Sequence, residues 1–386
     1  MKILFLFCDM VRPGVLDFNN SKNKSFEGLL KSMGGTYYSN CFSHGPDTGR
    51  SMGCYWSGFT PPDNGCDTRA KYPKFYLNKT SFLDILTELK YDLYFFTNPN
   101  EKVLGCLPPK YDEIGKHNID LDLDKFVESI DLSKDNIFAH IALTDFHWAL
   151  DDYGANEIGV ANGLRILYES ISNIFKIIPS DVFDYIFVFS DHGFKFQKEY
   201  DTEDKIYMLN RDRSNVLMFI HEKGKNHFGY NDKLCSLVDV YPTIMGMINH
   251  PYNGYGNSLF SDKEPAYIIA DEHGSFLPEA SQKIEYWALI KKDVIYLRSY
   301  YEYCRDDGKP FDLSKDEFDE TLCKLSTSFR ETYKQLKILD LYRVMATDKS
   351  FYTNGEPRFI IEKNDYIGRL KRKINKLKWK YLNKKI

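Results

Sequence analysis

The chain has 386 residues, of which 43% are hydrophobic and 16% aromatic, so it can build a sizeable core and is not intrinsically disordered. Its length exceeds one average domain and predicts a large α/β domain with a smaller appendage. The net charge of −4 is unevenly distributed, because residues 369–386 carry nine Lys or Arg and no acid, which leaves about −13 on the rest. An acidic body without a recognition motif argues against nucleic acid as a partner.

The first element in the chain is the apolar run Lys2–Cys8, which leads directly into Asp9. It is too short for a secretory signal or a membrane span, and it predicts a buried strand. The eight cysteines are scattered and form no CxxC pair. Reduced thiols in a cytoplasmic protein are therefore expected.

Strand-like and helix-like segments alternate over the first 260 residues. Continuously apolar runs are typical of central parallel strands that helices cover on both faces. The predicted strands are Lys2–Cys8, Tyr91–Thr97, Ile137–Leu143, Tyr185–Ser190 and Asn215–His221. The predicted helices are Phe26–Ser32, Ser81–Leu89, Ile158–Ile177 and Leu237–Ile248. This alternation predicts an α/β fold with a doubly wound, mostly parallel sheet.

The pattern changes after about residue 262. Three short strand patterns follow, at Ala266–Ala270, Ile284–Ile290 and Val294–Arg298, joined by charged turns. They predict a small antiparallel subdomain over 263–362, packed on a catalytic domain over 1–262.

The basic tail over 363–386 has helical periodicity. Its apolar face consists of Leu370, Ile374, Leu377 and Tyr381. A basic amphipathic helix of this kind suits peripheral association with an anionic membrane surface, here the inner face. The alternative is a surface helix that only keeps the chain end soluble.

Polar side chains follow three of the predicted strands. Asp9 follows the first, Asp145 and His147 come just after Ile137–Leu143, and Asp191 and His192 follow the run at 185–190. Ligands of open α/β sheets bind beyond the carboxyl ends of the strands. Asp9, Asp191 and His192 make a mixed oxygen and nitrogen set that suits one divalent cation, such as Zn2+, Mn2+, Mg2+ or Ca2+. Taken singly, each Asp is also typical of a helix N-cap or a turn.

The order of the motifs resembles the sulfatase branch of the alkaline phosphatase superfamily. The motifs are FLFCDM, a Thr-containing loop near 48, VFSDHG at 188–193, RSNVLMFIH at 213–221, SLVDVYPTIMGMI at 236–248 and GYGNSLF at 254–260. The resemblance spans roughly residues 1–260 and extends to the related phosphoethanolamine and glycerol-phosphate transferases. It implies an alkaline-phosphatase-like fold and a metal-dependent enzyme.

The resemblance implies that Thr48 is the nucleophile and also a metal ligand. The family places its nucleophile ten residues before a Gly that closes a helix, and counting back from Gly58 gives Thr48. A sulfatase would have Cys or Ser there, within C/S-x-P-x-R, for oxidation to formylglycine. Thr48 and the absence of Arg at that spacing favour the relatives in which a Thr hydroxyl attacks phosphorus directly. The alternative for Thr48 is a simple helix N-cap.

Further residues are assigned to the anionic substrate. Arg50 can clamp a phosphate, and His147 resembles the substrate-binding His that can protonate a leaving group. His44, Asp145 and Arg213 complete the predicted substrate set. A solvated Arg50 and a structural His147 beside Trp148 are the alternatives. The two-residue spacing of Asp145 and His147 differs from the four-residue spacing of two-metal phosphodiesterases, which favours one metal.

The sequence therefore predicts a hydrolase or phosphotransferase that acts on phosphate esters through a phosphothreonyl intermediate. The tail suggests a surface glycan or lipid-linked substrate. The alternatives are a sulfuric ester hydrolase with an atypical nucleophile, and a catalytically silent member of the fold that binds a glycan.

Overall fold

The computed structural model describes residues 1–66, 81–96, 122–196, 209–273, 284–299, 303–326, 329–330, 333, 352–353 and 356–357. The chain divides into two compact units, Met1–Thr327 and Ser328–Ile386. The predicted tail over 363–386, with its apolar face, lies outside the described residues.

The strands of the first unit are β1 (Lys2–Cys8), β2 (Gly35–Tyr38), β3 (Cys41–Phe42), β4 (Asp92–Phe96), β5 (Ile137–Leu143), β6 (Tyr185–Phe189), β7 (Met218–Glu222), β8 (Phe228–Asn231), β9 (Cys235–Ser236), β10 (Ile268–His273), β11 (Ile284–Ile290), β12 (Ile295–Ser299) and β13 (Tyr303–Arg305). The second unit contains the short hairpin of β14 (Tyr352–Thr353) and β15 (Glu356–Pro357).

The helices are α1 (Phe26–Met33), α2 (Thr48–Ser57), α3 (Pro61–Asn64), α4 (Phe82–Glu88), α5 (Leu123–Glu128), α6 (Asp145–Tyr153), α7 (Glu157–Ile177), α8 (Arg211–Ser214), α9 (Val240–Met247) and α10 (Lys315–Leu325). Side chains that cap the backbone fix several helix starts. Ser81 and Asp84 form a reciprocal capping box at α4, and Asn156 accepts hydrogen bonds from two backbone N–H groups at α7. No described helix is long and apolar enough to cross a lipid bilayer.

The main sheet has seven strands in the order β4-β5-β1-β6-β7-β2-β8. The central strand β1 pairs in parallel with β5 and β6, and β4 pairs in parallel with β5. The predicted mostly parallel sheet is confirmed. Because the sheet is parallel here, the carboxyl ends of β1, β5 and β6 lie at one edge, which places Asp9, His147 and Asp191 close together.

One predicted strand has a different orientation. The run Asn215–His221 was expected to be a parallel strand, but β7 pairs antiparallel with both β6 and β2. Its apolar run is buried like that of the parallel strands, so periodicity could not distinguish the two orientations. The chain enters β7 from the site edge of the sheet, which places α8 just after the end of β6 in space, with the Gly193 N–H donating to the Arg213 carbonyl.

Helices cover both faces of the sheet, as a doubly wound fold requires. Alternate residues of β1 belong to two apolar clusters, because successive side chains of a strand point to opposite faces. One cluster joins Phe5 and Phe7 to α2, α4 and α9. The other joins Leu4 and Leu6 to α1, α5 and α7.

The small antiparallel sheet has the order β10-β11-β12-β13. It confirms the short antiparallel strands predicted after residue 262, but these strands belong to the same compact unit as the main sheet. A third apolar cluster explains why, since Phe42, Leu209 and Leu234 pack with sheet residues such as Ile268 and Ile295. The compact unit therefore continues to Thr327 rather than ending at 262.

Candidate active site

Three potential metal ligands meet at the carboxyl edge of the main sheet. Asp9 follows β1, while Asp191 and His192 follow the neighbouring parallel strand β6. One ligand atom from each residue lies within 4.8 Å of the others, and all three side chains are buried. The structure therefore places the predicted carboxylate and imidazole groups where one ion could contact all of them.

Hydrogen bonds orient these ligands. The backbone N–H of Met10 donates to Asp191 Oδ1 at 3.1 Å, and Met10 has the left-handed φ of 66° that turns the chain after Asp9. His192 Nδ1 lies 2.8 Å from the carbonyl oxygen of Gly193 and must donate to it, because a carbonyl only accepts. Burial lowers the pKa of His192, so the ring is neutral and Nε2 carries the lone pair that a metal needs.

The two carboxylates at the strand ends suit a cation. The pKa of Asp9 is raised to about 7, mainly by burial and also by the nearby charge of Asp191, while His147 lowers it. Asp9 Oδ1 and Asp191 Oδ2 are buried and have no hydrogen-bond partner. Two close, buried carboxylates with unused oxygens beside a neutral imidazole fit a divalent cation.

This electrostatic arrangement predicts an inverted pH dependence of stability. Because the folded pKa of Asp9, about 7, lies above its ordinary 3.8, the folded state binds this proton more tightly than the unfolded state. Metal-free protein should therefore lose this contribution as pH rises from about 4 to about 7. We expect Asp9→Asn to raise the melting temperature of metal-free protein at about pH 8 and to raise it about half as much at about pH 5.5. The measurement is thermal denaturation in the presence of a chelator.

The wild-type protein with added divalent cation is the control for this comparison. The cation should stabilise it more at about pH 8 than at about pH 5.5, because metal binding requires ionised carboxylates. An Asp9→Asn variant with the same pH profile as metal-free wild type would contradict the electrostatic assignment.

His147 joins the cluster through Asp9. It lies in the first turn of α6, immediately after β5, and its Nδ1 is 2.8 Å from Asp9 Oδ2. The His147 side chain is 35% exposed, and its Nε2 lies 3.6 Å from Asp151 Oδ2. One nitrogen therefore contacts the proposed metal ligand, while the other faces the exposed carboxylate of Asp151.

Thr48 is the first residue of α2, and Asp47 is the N-cap. Asp47 Oδ1 accepts a hydrogen bond of 3.1 Å from the Arg50 N–H, so the alternative in which Thr48 is the cap is wrong. Thr48 is half-buried. The charge of Asp47 raises the pKa of His192, which places the start of α2 in electrostatic range of the cluster. The sequence reasoning missed Asp47, although an Asp before a helical run is a recognised N-cap signal.

Arg50 is held by a buried partner. Its side chain is fully buried, forms an ion pair with Asp271 of β10, and donates through Nη1 to the Asp271 carbonyl oxygen at 2.7 Å. The alternative of a solvated loop Arg is therefore wrong. The expectation that Arg50 clamps the substrate also needs correction, because its guanidinium is engaged with Asp271 at the base of the loop.

His44 and Asp145, two more of the predicted substrate residues, both have partners within the protein. Burial lowers the pKa of His44 to about 4, which keeps its ring neutral, and its carbonyl accepts a hydrogen bond from the Asp271 N–H. Asp145 accepts a hydrogen bond from Ser170 of α7 and is not among the gathered metal ligands, and its role in substrate binding stays a prediction.

Arg213 lies at the site. Its positive charge lowers the pKa of His192, and its carbonyl oxygen accepts a hydrogen bond of 2.8 Å from the Gly193 N–H. The Nε atom of Arg213 is buried without a hydrogen-bond partner. A half-buried guanidinium beside the cluster, with an unused donor, fits the predicted contact with an anionic substrate.

Known structures share this architecture at low sequence identity. A 2-O GAG sulfatase aligns with a TM-score of 0.60 and 12% identity, over 92% of this chain and 95% of its own. A protein in the alkaline phosphatase superfamily from Vibrio parahaemolyticus has a TM-score of 0.57 and 11% identity, over 86% and 88%. The phosphonate monoester hydrolase of Agrobacterium radiobacter has a TM-score of 0.54 and 10% identity, over 88% and 95%.

No protein-family model matches the chain, and no curated protein matches its sequence. At identities this low, structural likeness speaks for the fold and leaves the activity to the residues of the site. This chain has the fold of the sulfatases and of other alkaline phosphatase superfamily proteins.

Proposed function

We propose that this protein is a metal-dependent hydrolase or phosphotransferase that acts on phosphate esters with Thr48 as its nucleophile. The observation that carries the proposal is the buried cluster of Asp9, Asp191 and His192 at the strand ends. The likeness to sulfatases and to a phosphonate monoester hydrolase supports an esterase of this superfamily.

The residues that would hold the cation are Asp9, Asp191 and His192, with the Thr48 hydroxyl as a further ligand. Bound Zn2+, Mn2+, Mg2+ or Ca2+ would polarise a substrate oxygen and lower the pKa of a coordinated hydroxyl. Arg213 would pair with the non-bridging phosphate oxygens through its half-buried guanidinium. The backbone N–H groups in the first turn of α2 would stabilise the negative charge on the phosphoryl group.

The reaction proceeds in two displacements. The Thr48 hydroxyl loses its proton to solvent, its oxygen bonds to phosphorus, and the ester P–O bond breaks. His147 Nε2 gives a proton to the departing alkoxide. Water, or an acceptor hydroxyl, then attacks the phosphothreonyl phosphorus and gives its proton to His147. The bond from phosphorus to the Thr48 oxygen breaks, and Thr48 recovers its proton from solvent.

The alternative is a sulfuric ester hydrolase, which the likeness to sulfatases favours. Thr48 weighs against it. Oxidation of the secondary alcohol of Thr gives a ketone, whereas the formylglycine of the C/S-x-P-x-R motif, which this chain lacks, is an aldehyde made from Cys or Ser. We therefore rank phosphate esters above sulfate esters as substrates.

A panel of aryl esters tests this ranking. We expect purified, metal-loaded protein to turn over aryl phosphate monoesters or diesters with a kcat/KM at least about 10²-fold above that for the matching aryl sulfate. The measurement is release of the same chromophore from each ester, so that only the transferred group changes. A clear preference for sulfate would overturn the ranking. Protein that binds no metal and hydrolyses none of the esters would favour the catalytically silent alternative.

A further inference from the structure

One residue of the small antiparallel sheet, Asp271, contacts both the loop before α2 and the first turn of α2. The N–H of Asp271, in β10, donates to the His44 carbonyl at 3.0 Å. The Asp271 carboxylate and carbonyl oxygen both engage the guanidinium of Arg50. Asp271 thus contacts the chain on both sides of Thr48, four residues before it and two residues after it.

The loop is packed onto this pair without spare room. A Cβ on Gly45 would lie 2.9 Å from Arg50 Cβ and 3.0 Å from Arg50 Cζ. The loop is closed further by the Ser43 and Ser51 hydroxyl oxygens, 2.6 Å apart, which both lie within hydrogen-bond distance of the Gly45 carbonyl. A shift of the Arg50 guanidinium must therefore move the loop that carries Thr48.

The ion pair between Arg50 and Asp271 is buried, so the loss of one partner would have a large effect on the local structure. Arg50 is fully buried and Asp271 is 5% exposed. A buried ion pair adds little stability compared with apolar residues of the same volume, but removing one partner leaves an uncompensated charge. Its value here is geometric, since it fixes the direction in which α2 starts.

From these contacts we propose that Asp271 is a positioning residue for Thr48. The small antiparallel sheet, through Asp271 of β10, would then help to hold the nucleophile in place. The inference rests on the proposed function of Thr48. Asp271 itself touches no reacting atom. It holds Arg50 and the His44 carbonyl, which lie on either side of Thr48, and so restrains the loop that must present the nucleophile to the substrate.

The chain contains a matched control for this inference. Arg298 and Asp319 form a second buried ion pair, between β12 and α10, with side chains 1% and 8% exposed. The carboxylate is thus buried to the same degree as that of Asp271, but it contacts Arg298 and Tyr303 and not the loop at 43–50. Asp271→Asn and Asp319→Asn therefore remove the same charge from similar surroundings.

The experiment compares these two variants in the full-length protein. Both should lower the melting temperature by similar amounts, because each leaves a buried Arg without its carboxylate. Only Asp271→Asn should lower kcat, by about 10²-fold, with KM and metal content close to those of wild type. Equal losses of kcat in the two variants, or a kcat for Asp271→Asn within about threefold of wild type, would overturn the inference.

Amide hydrogen exchange gives a readout that does not depend on activity. We expect faster exchange across residues 43–52 in Asp271→Asn and unchanged exchange there in Asp319→Asn. If the wild-type protein hydrolyses no ester but this exchange pattern is found, the positioning role stands and the proposed function fails. If exchange in the loop is the same in both variants, the positioning role fails whatever the activity.

Discussion

Replacement of Thr48 by Ala should lower kcat by at least about 10⁴-fold and leave the fold intact, because the variant lacks the oxygen that attacks phosphorus. The side chain is half-buried at the first position of α2, and the N-cap contact is made by Asp47, so loss of the hydroxyl removes no observed cap. Thr48→Ser should retain turnover to within about tenfold, since it keeps a hydroxyl at the same place. The measurement is steady-state hydrolysis of the best aryl ester by metal-loaded protein.

Thr87→Ala is the matched control for Thr48. The Thr87 hydroxyl donates to the Leu83 carbonyl within α4, so its loss should leave kcat unchanged. Trapping gives a second check, because denaturation during turnover should leave a phosphorylated peptide that contains Thr48. Full activity of Thr48→Ala, or a phosphorylated residue elsewhere in the chain, would remove Thr48 from the nucleophile role.

Replacement of Asp191 by Ala should remove both the metal and the activity. We expect metal content to fall from about one ion per chain to near zero and kcat to fall by at least about 10³-fold. The melting temperature of the metal-free variant should not fall below that of metal-free wild type. The charge of Asp191 raises the pKa of Asp9, and removal of that charge relieves the repulsion between the two carboxylates. The measurements are elemental analysis after gel filtration, steady-state kinetics and thermal denaturation.

Asp184 offers the control at the opposite end of the same strand. Its carboxylate precedes β6 and accepts a hydrogen bond of 2.7 Å from the Lys2 N–H, while Asp191 follows β6. Asp184→Asn should therefore keep its metal and its activity. Metal retained at full stoichiometry by Asp191→Ala would show that the cluster at the strand ends is not the metal site.

Much of the site could be predicted because its residues follow continuous apolar runs. The predicted bounds of β1 and β5 agree with the structure, and the residues after β1 and β6 supply the three gathered ligands. A parallel strand that is buried on both faces has a strong local signature, and its carboxyl end has a known role. Chain position and composition were therefore enough for Asp9, Asp191 and His192.

The remaining features depend on partners that are distant in sequence. Arg50 and Asp271 are 221 residues apart, and no local pattern around Arg50 indicates a buried carboxylate. The orientation of β7 depends on where the preceding chain crosses the sheet and not on its own residues. The strands β2 and β8 have only four residues each, and β8 is partly exposed, so neither gave an apolar run to recognise. Membrane association, cytoplasmic location and the choice between water and another acceptor stay predictions.

The third apolar cluster has a consequence for how this protein can be divided. Phe42, Leu209 and Leu234 lie before residue 262, yet their packing partners come from the strands after residue 262. A fragment that ended at 262 would expose these three side chains to water and leave an apolar, aggregation-prone surface. Shorter fragments for expression should therefore keep Met1–Thr327 together as one folding unit.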